Sequence, residues 1–560
     1  MVRKLLERIA APVRGLHQAA YLLAALTLAS QALALLRDRT FAHLFGAGHT
    51  LDLYYAAFRV PDLVFALVSS LVSAYILIPR ITGVSRDEAG ALLSQAASFL
   101  LAGGGALCVV LAVFMPRLLF ALYPGFANAP GASSFVFLAR LLLIQPILLG
   151  LSGVLGSVTQ VERQFFLFSL APVFYNLGII FGTVALYPLF GLAGIGYGVI
   201  IGALGYVLTN VPSLSLARIR VRLVLPRLST IVPLVKDSVP RSLALGMDSF
   251  TLLFLTALAA RLAAGSVSVF TLAGNLENVP LSLIGGSYAV AAFPALSRHA
   301  GDDRDAFTRV LSGSARHIIL WSLVFLGLIV VLRAYIVRVI LGTGAFDWNA
   351  TRLTAALLAI LAAGLVAQGL VLLFSRALYA VKQSWRPFLY QLAGALFTAA
   401  IALAFVWMNG HTGFTVWLAN LFRVGDVEGT LVLTLALAAT LGEFFLASWS
   451  LIALKHEAPG LARSLWRPLR DGLIAALAAG GVAYAVLAGL GSIEALTRTV
   501  IVFYHGFAAG VLGMVAAAAT LYGLRNPEFA DILAALARLV SARFPRASIL
   551  QPSAEEPTQL

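Results

Sequence analysis

Residues 89–115 read AGALLSQAASFLLAGGGALCVVLAVFM, 27 consecutive positions without one charged side chain. An α-helix rises about 1.5 Å per residue, so this run is long enough to cross the ~30 Å hydrocarbon layer of a bilayer. In hydrocarbon every backbone N–H and C=O must find its partner within the protein. A continuous apolar run does this as a helix, whereas a barrel strand is about half as long and alternates in polarity. Working outward from 89–115, comparable runs recur along the chain. About fourteen spans are expected, near 17–36, 51–79, 89–115, 134–160, 164–187, 191–213, 240–262, 266–295, 315–341, 351–379, 385–408, 429–454, 470–490 and 498–523. The fifth and sixth are divided only by a turn at 187–191.

The composition agrees. Of 560 residues 60% are hydrophobic and 11% charged, with a mean hydropathy of +0.94, where soluble domains carry about 25% charged residues. This excludes a water-soluble enzyme and a disordered chain. Lys and Arg number 39 against 24 Asp and Glu, a net charge of +15. On a soluble protein that excess would point to nucleic acid. Here it lies in short loops between apolar runs, the positive-inside pattern, and no nucleic-acid partner is expected. Cys108 is the single cysteine, so one chain can build neither a disulfide nor a cysteine metal site.

With a cytoplasmic N-terminus, the inner loops hold Arg80, Arg86, Arg163, Arg218, Arg220, Arg222, Arg227, Lys236, Arg298, Lys382, Arg386 and Lys455. The outer loops are poorer in cations, and an even number of spans places both termini in the cytoplasm. Arg37 and Arg39 break the rule by ending the first span on the outer side. The expected organisation is a basic N-terminus (1–16), an N-lobe of six helices (17–216), a basic linker (217–239), a C-lobe of six (240–455), two further helices (456–524) and a cytoplasmic tail (525–560). Internal echoes support a duplication. Pro61 opens a run ending Ile78-Pro79-Arg80, and Pro280 opens one ending Phe293-Pro294. Two pseudo-symmetric lobes around a central cavity are the architecture of alternating-access transporters.

Enzyme signatures are absent. No phosphate-binding loop G-x-x-x-x-G-K-[ST] and no H-E-x-x-H occurs, so neither catalysis nor a resident cofactor or metal is expected. His43 and His49 read as interfacial polar residues. The ionisable groups in or beside spans carry more information, because each is costly in hydrocarbon unless it meets a partner or water. Arg37, Asp38, Asp52 and Arg59 form one cluster, with Asp52 and Arg59 seven residues apart on one helical face. They fit either a polar wall that receives a charged headgroup or a structural ion pair. Arg241 and Asp248 in span seven, with Asn275 and Glu277 in span eight, form a second. They fit cation or proton coupling or substrate contact, or else a buried pair holding the two spans together. Arg140, Arg376 and Glu443 are further intramembrane charges.

From Arg37 the chain reads RDRTFAHLFGAGHTLDLYYAAFRVPDL, followed by SAYILIP. This resembles the first hairpin of the MurJ (MviN) family of lipid II flippases, in which R-D is followed by F-G-A-G, an Asp, A-F-x-x-P and a stretch ending in Pro. Further segments are similar: Tyr123-Pro124-Gly125-Phe126, Ala171-Pro172 with Asn176, Gly265-Ser266-Val267-Ser268, Gly344-Ala345-Phe346-Asp347, and Phe374-Ser375-Arg376 with Arg386-Pro387. The resemblance extends through about span twelve. It implies a fold of the multidrug/oligosaccharidyl-lipid/polysaccharide (MOP) exporter class with fourteen helices, in the bacterial inner membrane. It also implies movement of the undecaprenyl-pyrophosphate-linked peptidoglycan precursor between leaflets, and cell-wall synthesis proteins as partners alongside membrane lipids. Arg37 and Asp52 match positions important in that family. Gln31, Phe65 and Asn275 stand where the family has arginines, and Ser70 where it has Glu, so Arg59, Arg241 and Arg140 are the replacements on offer. The resemblance leaves two other functions open: a related exporter of another lipid-linked oligosaccharide or drug, and a non-transporting scaffold. Without an ATPase, a bias must come from membrane potential or a cation or proton gradient, with Asp248 and Glu277 as the coupling carboxylates.

Overall fold

The computed structural model describes residues 16–301, 303–408, 413–491, 493 and 498–543. Among them every regular element is helical. In chain order the long helices are α1 (Leu16–Phe45), α2 (His49–Ile81), α3 (Arg86–Leu122), α4 (Ala132–Val161), α5 (Phe165–Phe190), α6 (Leu192–Ala217) and α7 (Leu228–Ala259). They continue as α8 (Ser266–His299), α9 (Arg304–Ile340), α10 (Trp348–Ala362 with Leu365–Ala380), α11 (Trp385–Met408), α12 (Val432–Ala453), α13 (Leu461–Leu490), α14 (Thr499–Gly523) and α15 (Pro527–Arg543). Twelve are long and apolar enough to cross a membrane, or thirteen when the two halves of α10, bent by 46°, count as one span. The fourteenth expected span, 17–36, lies in α1. That helix has 30 residues, about 45 Å at 1.5 Å each, and is not among the twelve. The chain is a multi-span membrane protein.

Spans five and six are separate helices, because Gly191 (φ +59°) reverses the chain between them. They then pack with almost no space between backbones. A Cβ on Gly178 would lie 2.4 Å from the Gly202 Cα, and one on Gly198 would lie 2.4 Å from the Gly182 Cα. Such contact is how helices associate in lipid, where burial of apolar surface gives no net drive. The Pro61 and Pro280 echoes mark helices that lose α geometry shortly afterwards. α2 tightens at Ser69–Val72 and α8 widens to i→i+5 bonding at Ser282–Gly286, as expected where proline removes a donor and crowds the preceding turn.

Helices α1–α6 and α7–α12 form the two lobes, and α13 and α14 pack on α9, with Ala475, Ala479 and Ala483 of α13 and Val502 and Ala509 of α14 in one core with Leu320, Val324 and Leu328. At the end opposite the basic loops the lobes share one apolar core, in which Phe41, Leu51, Tyr54 and Phe135 join Leu255, Val267, Leu272, Phe346 and Leu433. At the basic end each lobe has its own core. One gathers Leu77, Leu93, Val154 and Leu214, the other Leu296, Phe307, Leu373 and Leu461. Leu234 of α7 belongs to the former, so the start of α7 packs on the N-lobe. The basic connection itself is short: residues 219–227 have no regular structure and Leu228 already begins α7.

Candidate functional site: an inter-lobe cavity and its seal

Midway along the bundle two adjoining compartments open between the lobes. Arg59, Asp248 and Leu252 line both. The first, about 500 Å³, lies between α2, α4 and α7 and adds Asp62, Phe65, Ser70 and Arg241. The second, about 430 Å³, lies between α7, α8, α10, α11 and α12 and adds Thr271, Asn275, Glu277, Gln368, Gln391 and Glu443. The Asp248 side chain is exposed although it sits mid-helix, so the cavity is roomy enough around it for water.

Arg59 is only 7% exposed and donates to Thr271 Oγ1 at 2.9 Å across the lobe interface. Its Nε has no protein partner. Glu277 accepts from Gln368 Nε2 of α10 at 2.7 Å, so its hydrogen bond ties α8 to α10 rather than to α7. Arg376 is near enough to Arg241 to feel its charge. Glu443 likewise senses Asp248 and Glu277, which makes three carboxylates around the second compartment. Among the described residues no three His, Cys, Asp or Glu side chains are grouped to hold a metal ion.

Arg37 lines neither compartment. Its guanidinium donates to Asp38 Oδ1 at 2.8 and 3.0 Å and to Asn176 Oδ1 at 3.2 Å. Asp38, 2% exposed, accepts in turn from Asn275 Nδ2 at 3.0 Å. Arg37 therefore sits one hydrogen-bonded layer behind the cavity wall, with Asn275 at the wall. Arg39, the other cation on the unexpected side, donates to the Val339 and Ile340 carbonyls. There it caps the C-terminal end of α9, where unpaired carbonyls favour a cation.

Asp52 does something else again. It is 2% exposed and lies at the far end from the basic loops. Its carboxylate accepts from the Gly265 N–H at 2.6 Å, the Ser268 N–H at 2.8 Å and the Ser268 hydroxyl at 2.6 Å. Asp52, on α2 of the N-lobe, thus caps the N-terminus of α8 in the C-lobe, where the first N–H groups lack helical partners. Around it the lobes meet backbone to backbone. The Ala345 N–H donates to the His43 carbonyl at 2.9 Å, and His43 Nδ1 lies 3.1 Å from Thr343 Oγ1. A Cβ on Gly46 would fall 2.5 Å from the Ala345 carbonyl oxygen, and one on Gly265 would fall 2.2 Å from that of Ala47. The segments Phe45-Gly46-Ala47-Gly48, Gly265-Ser266-Val267-Ser268 and Gly344-Ala345-Phe346-Asp347 are therefore three parts of one seal.

The positions where the resemblance implies lost charges behave unevenly. Phe65 lines the first compartment, 40% exposed, between Arg59 and Arg241. Gln31 donates to Ser282 Oγ at 3.3 Å, and Ser70 to Ser242 Oγ at 2.7 Å. Arg140 is exposed and donates to the Ala112 carbonyl at 2.8 Å, lining neither compartment. Of the three suggested replacements, Arg59 and Arg241 face the cavity. Asp62, three residues past Arg59 and so on the same helical face, went unnoticed in the sequence.

A family model described as Lipid II flippase MurJ matches residues 41–488. Among curated relatives, the lipid II flippase MurJ of Burkholderia cenocepacia is 24% identical over 439 residues, covering 76% of this chain and 84% of that protein. The probable lipid II flippase MurJ of Thermotoga maritima is 26% identical over 412 residues, covering 73% and 83%. Among solved structures, a lipid II flippase MurJ in an inward closed conformation superposes with a TM-score of 0.70 at 18% identity, over 90% of this chain and all of that one. An inward-facing multidrug resistance MATE transporter of the MOP superfamily follows at 0.61 and 17% identity, over 77% and 96%. The chain belongs to the lipid II flippase MurJ family.

Proposed function

We propose that this protein carries lipid II, the diphosphate-linked peptidoglycan precursor, from the inner to the outer leaflet of a bacterial cytoplasmic membrane, with both termini cytoplasmic. The observation that carries this reading is the pair Arg59 and Arg241 in a cavity between two lobes of a chain of this family. A diphosphate-sugar headgroup cannot enter hydrocarbon without replacing its hydration. Arginines replace it with charge-assisted, bidentate hydrogen bonds, and Arg59 lines both compartments. The polyprenyl tail stays in lipid while the lobes expose the cavity first to one side and then to the other. No covalent step is needed and no cofactor is called for. Asp248, Glu277 and Glu443 are the groups through which a proton or monovalent cation would bias the cycle. One charge moved through 100 mV supplies about 2.3 kcal/mol. The product is handed to cell-wall synthesis proteins at the outer face.

The charge balance of the lining favours a second reading. Two arginines, Arg59 and Arg241, stand against four carboxylates, Asp62, Asp248, Glu277 and Glu443, which suits export of a cationic amphiphile.

Complementation of a strain depleted of its lipid II flippase separates the two. The parent protein restores growth. Arg59→Ala lowers flipping about tenfold or more, the cost of a lost charge-assisted bond, and Arg59→Lys is intermediate because a lysine cannot bind both phosphate oxygens in one plane. A well-inserted parent that fails to rescue growth, yet protects cells against cationic amphiphiles, would overturn the first reading in favour of the second.

A further inference from the structure

Away from the inter-lobe cavity, at the basic end of the bundle, α3, α4, α6 and the 218–227 connection enclose a groove of about 950 Å³. Its wall at the mouth carries Arg218, Arg220 and Arg222, with Asp87 as its one carboxylate; its deeper wall is Leu101, Leu151 and Leu155.

The arginines are held on a fixed support. The connection runs extended with a two-residue alternation: Ile219 and Val221 pack on the N-lobe core while the arginines stay exposed. Its N–H groups are taken up by side chains of α3. The Arg222 N–H donates to Ser94 Oγ at 2.9 Å, the Val224 N–H to Ser98 Oγ at 2.9 Å and the Arg227 N–H to Gln95 Oε1 at 2.6 Å. Ser94 and Ser98 are one turn apart on one face of α3, so they act as a rail. Gly90, a turn earlier, is in register with them, and a Cβ there would lie 2.9 Å from the Arg220 carbonyl oxygen.

Beyond the arginines, Leu223 and Leu225 are 77% and 91% exposed. Cations followed by bare leucines mark a segment lying at the boundary between headgroups and acyl chains. The groove then continues inward. Leu101 lies seven residues along α3 beyond Ser94, which holds the Arg222 N–H, roughly 10 Å at 1.5 Å per residue, so the apolar wall reaches well into the ~15 Å of one leaflet's hydrocarbon.

We propose that this groove is a binding site for an anionic phospholipid of the surrounding leaflet, its phosphate against Arg218, Arg220 and Arg222 and an acyl chain along Leu101, Leu151 and Leu155. The mouth carries three cations against one carboxylate, complementary to an anionic headgroup, and the depth and apolarity of the inner wall fit a chain and not a free phosphate. The site does not depend on what the inter-lobe cavity transports. Its occupant would hold the connection, and with it the start of α7, against the N-lobe.

The test is native mass spectrometry of the full chain titrated with phosphatidylglycerol or with phosphatidylcholine of the same chains. The parent retains phosphatidylglycerol in preference to phosphatidylcholine. The R218Q/R220Q/R222Q variant loses that preference, with retention of the anionic lipid falling about tenfold or more, the scale set by removing three surface cations. Val211→Trp fills the groove wall and leaves the arginines in place, and it lowers retention of both lipids. It tests the site even where the triple variant folds poorly. Arg463→Gln, exposed in the first turn of α13 and outside the groove, changes nothing. Equal retention of the two lipids by the parent, or an undiminished preference in the triple variant, would overturn the proposal. So would displacement of phosphatidylglycerol by undecaprenyl diphosphate, equally in the parent and in Arg59→Ala, since that would make the groove an entry point for cargo.

Discussion

The two ends of the bundle join the lobes by different chemistry. At the seal, backbone meets backbone, a buried carboxylate caps a helix of the opposite lobe, and one apolar core runs through both halves. At the basic end the lobes keep separate cores. There the start of α7 meets α2 through neutral serine hydroxyls, Ser70 with Ser242 and Ser238 with the Leu71 carbonyl at 2.8 Å, and through one exposed ion pair, Arg80 with Asp237. A buried bond to a charged group is worth about 1.5–3 kcal/mol, and leaving its donors unpaired costs more, whereas an exposed ion pair is worth at most about 1 kcal/mol. The seal is thus the strong closure and the basic end the weak one. A protein that exposes its cavity to both sides must break the first with energy from cargo or ions, and the second opens with little.

The sharpest test of that ranking fixes the seal shut. His43 and Thr343 side chains are in hydrogen-bond contact across the lobes, so His43→Cys/Thr343→Cys in a Cys108→Ala background, joined by oxidation or by a short bis-thiol cross-linker, locks this end. Oxidation is expected to abolish transport and reduction to restore it. Full transport by the oxidised, cross-linked protein would show that this end never opens. Next in size is Asp52→Ala, which removes three cross-lobe hydrogen bonds and leaves the Gly265 and Ser268 N–H groups unpaired. A shift of about 3 kcal/mol or more toward opening is expected, on the order of a hundredfold in population. Labelling of a cysteine at Ala47 by a membrane-impermeant maleimide should rise accordingly. Unchanged labelling would place the closing energy elsewhere in the shared core.

Much of the fold was legible in the sequence because hydrocarbon dictates it. The 385–408 run coincides with α11, and most other spans fall within a few residues of their helices. The misses are at water-facing ends. The ninth span was expected at 315 but α9 begins at Arg304, and the seventh at 240 but α7 begins at Leu228. Polar helical turns outside the bilayer carry no hydropathy signal. The site was legible only in part. Asp52 and Arg59 do share a helical face, yet seven residues also separate them by about 10 Å along the axis, which puts one in the seal and the other in the cavity. That Phe45-Gly46-Ala47-Gly48 would meet Gly265 and Gly344 was invisible, because the contacts run through backbone carbonyls some 200–300 residues away in sequence and leave no side-chain pattern beyond the glycines themselves. Arg39 breaks the positive-inside rule because it caps α9.

The smallest expected effect lies at the weak end. Arg80 and Asp237 form an ion pair with both side chains substantially exposed, 32% and 58%. Water and salt screen such a pair, and holding two long side chains together costs entropy. Arg80→Gln should therefore change the balance between open and closed basic ends by about 1 kcal/mol or less, less than about tenfold in population, and less again at high ionic strength. The measurement is the same maleimide assay read at Ser242→Cys, on the facing surface of α7, at low and high salt. If Arg80→Gln opened this end as far as Asp52→Ala opens the other, the difference between the two closures would vanish. The lobes would then be balanced symmetrically about the cavity instead of resting sealed on one side.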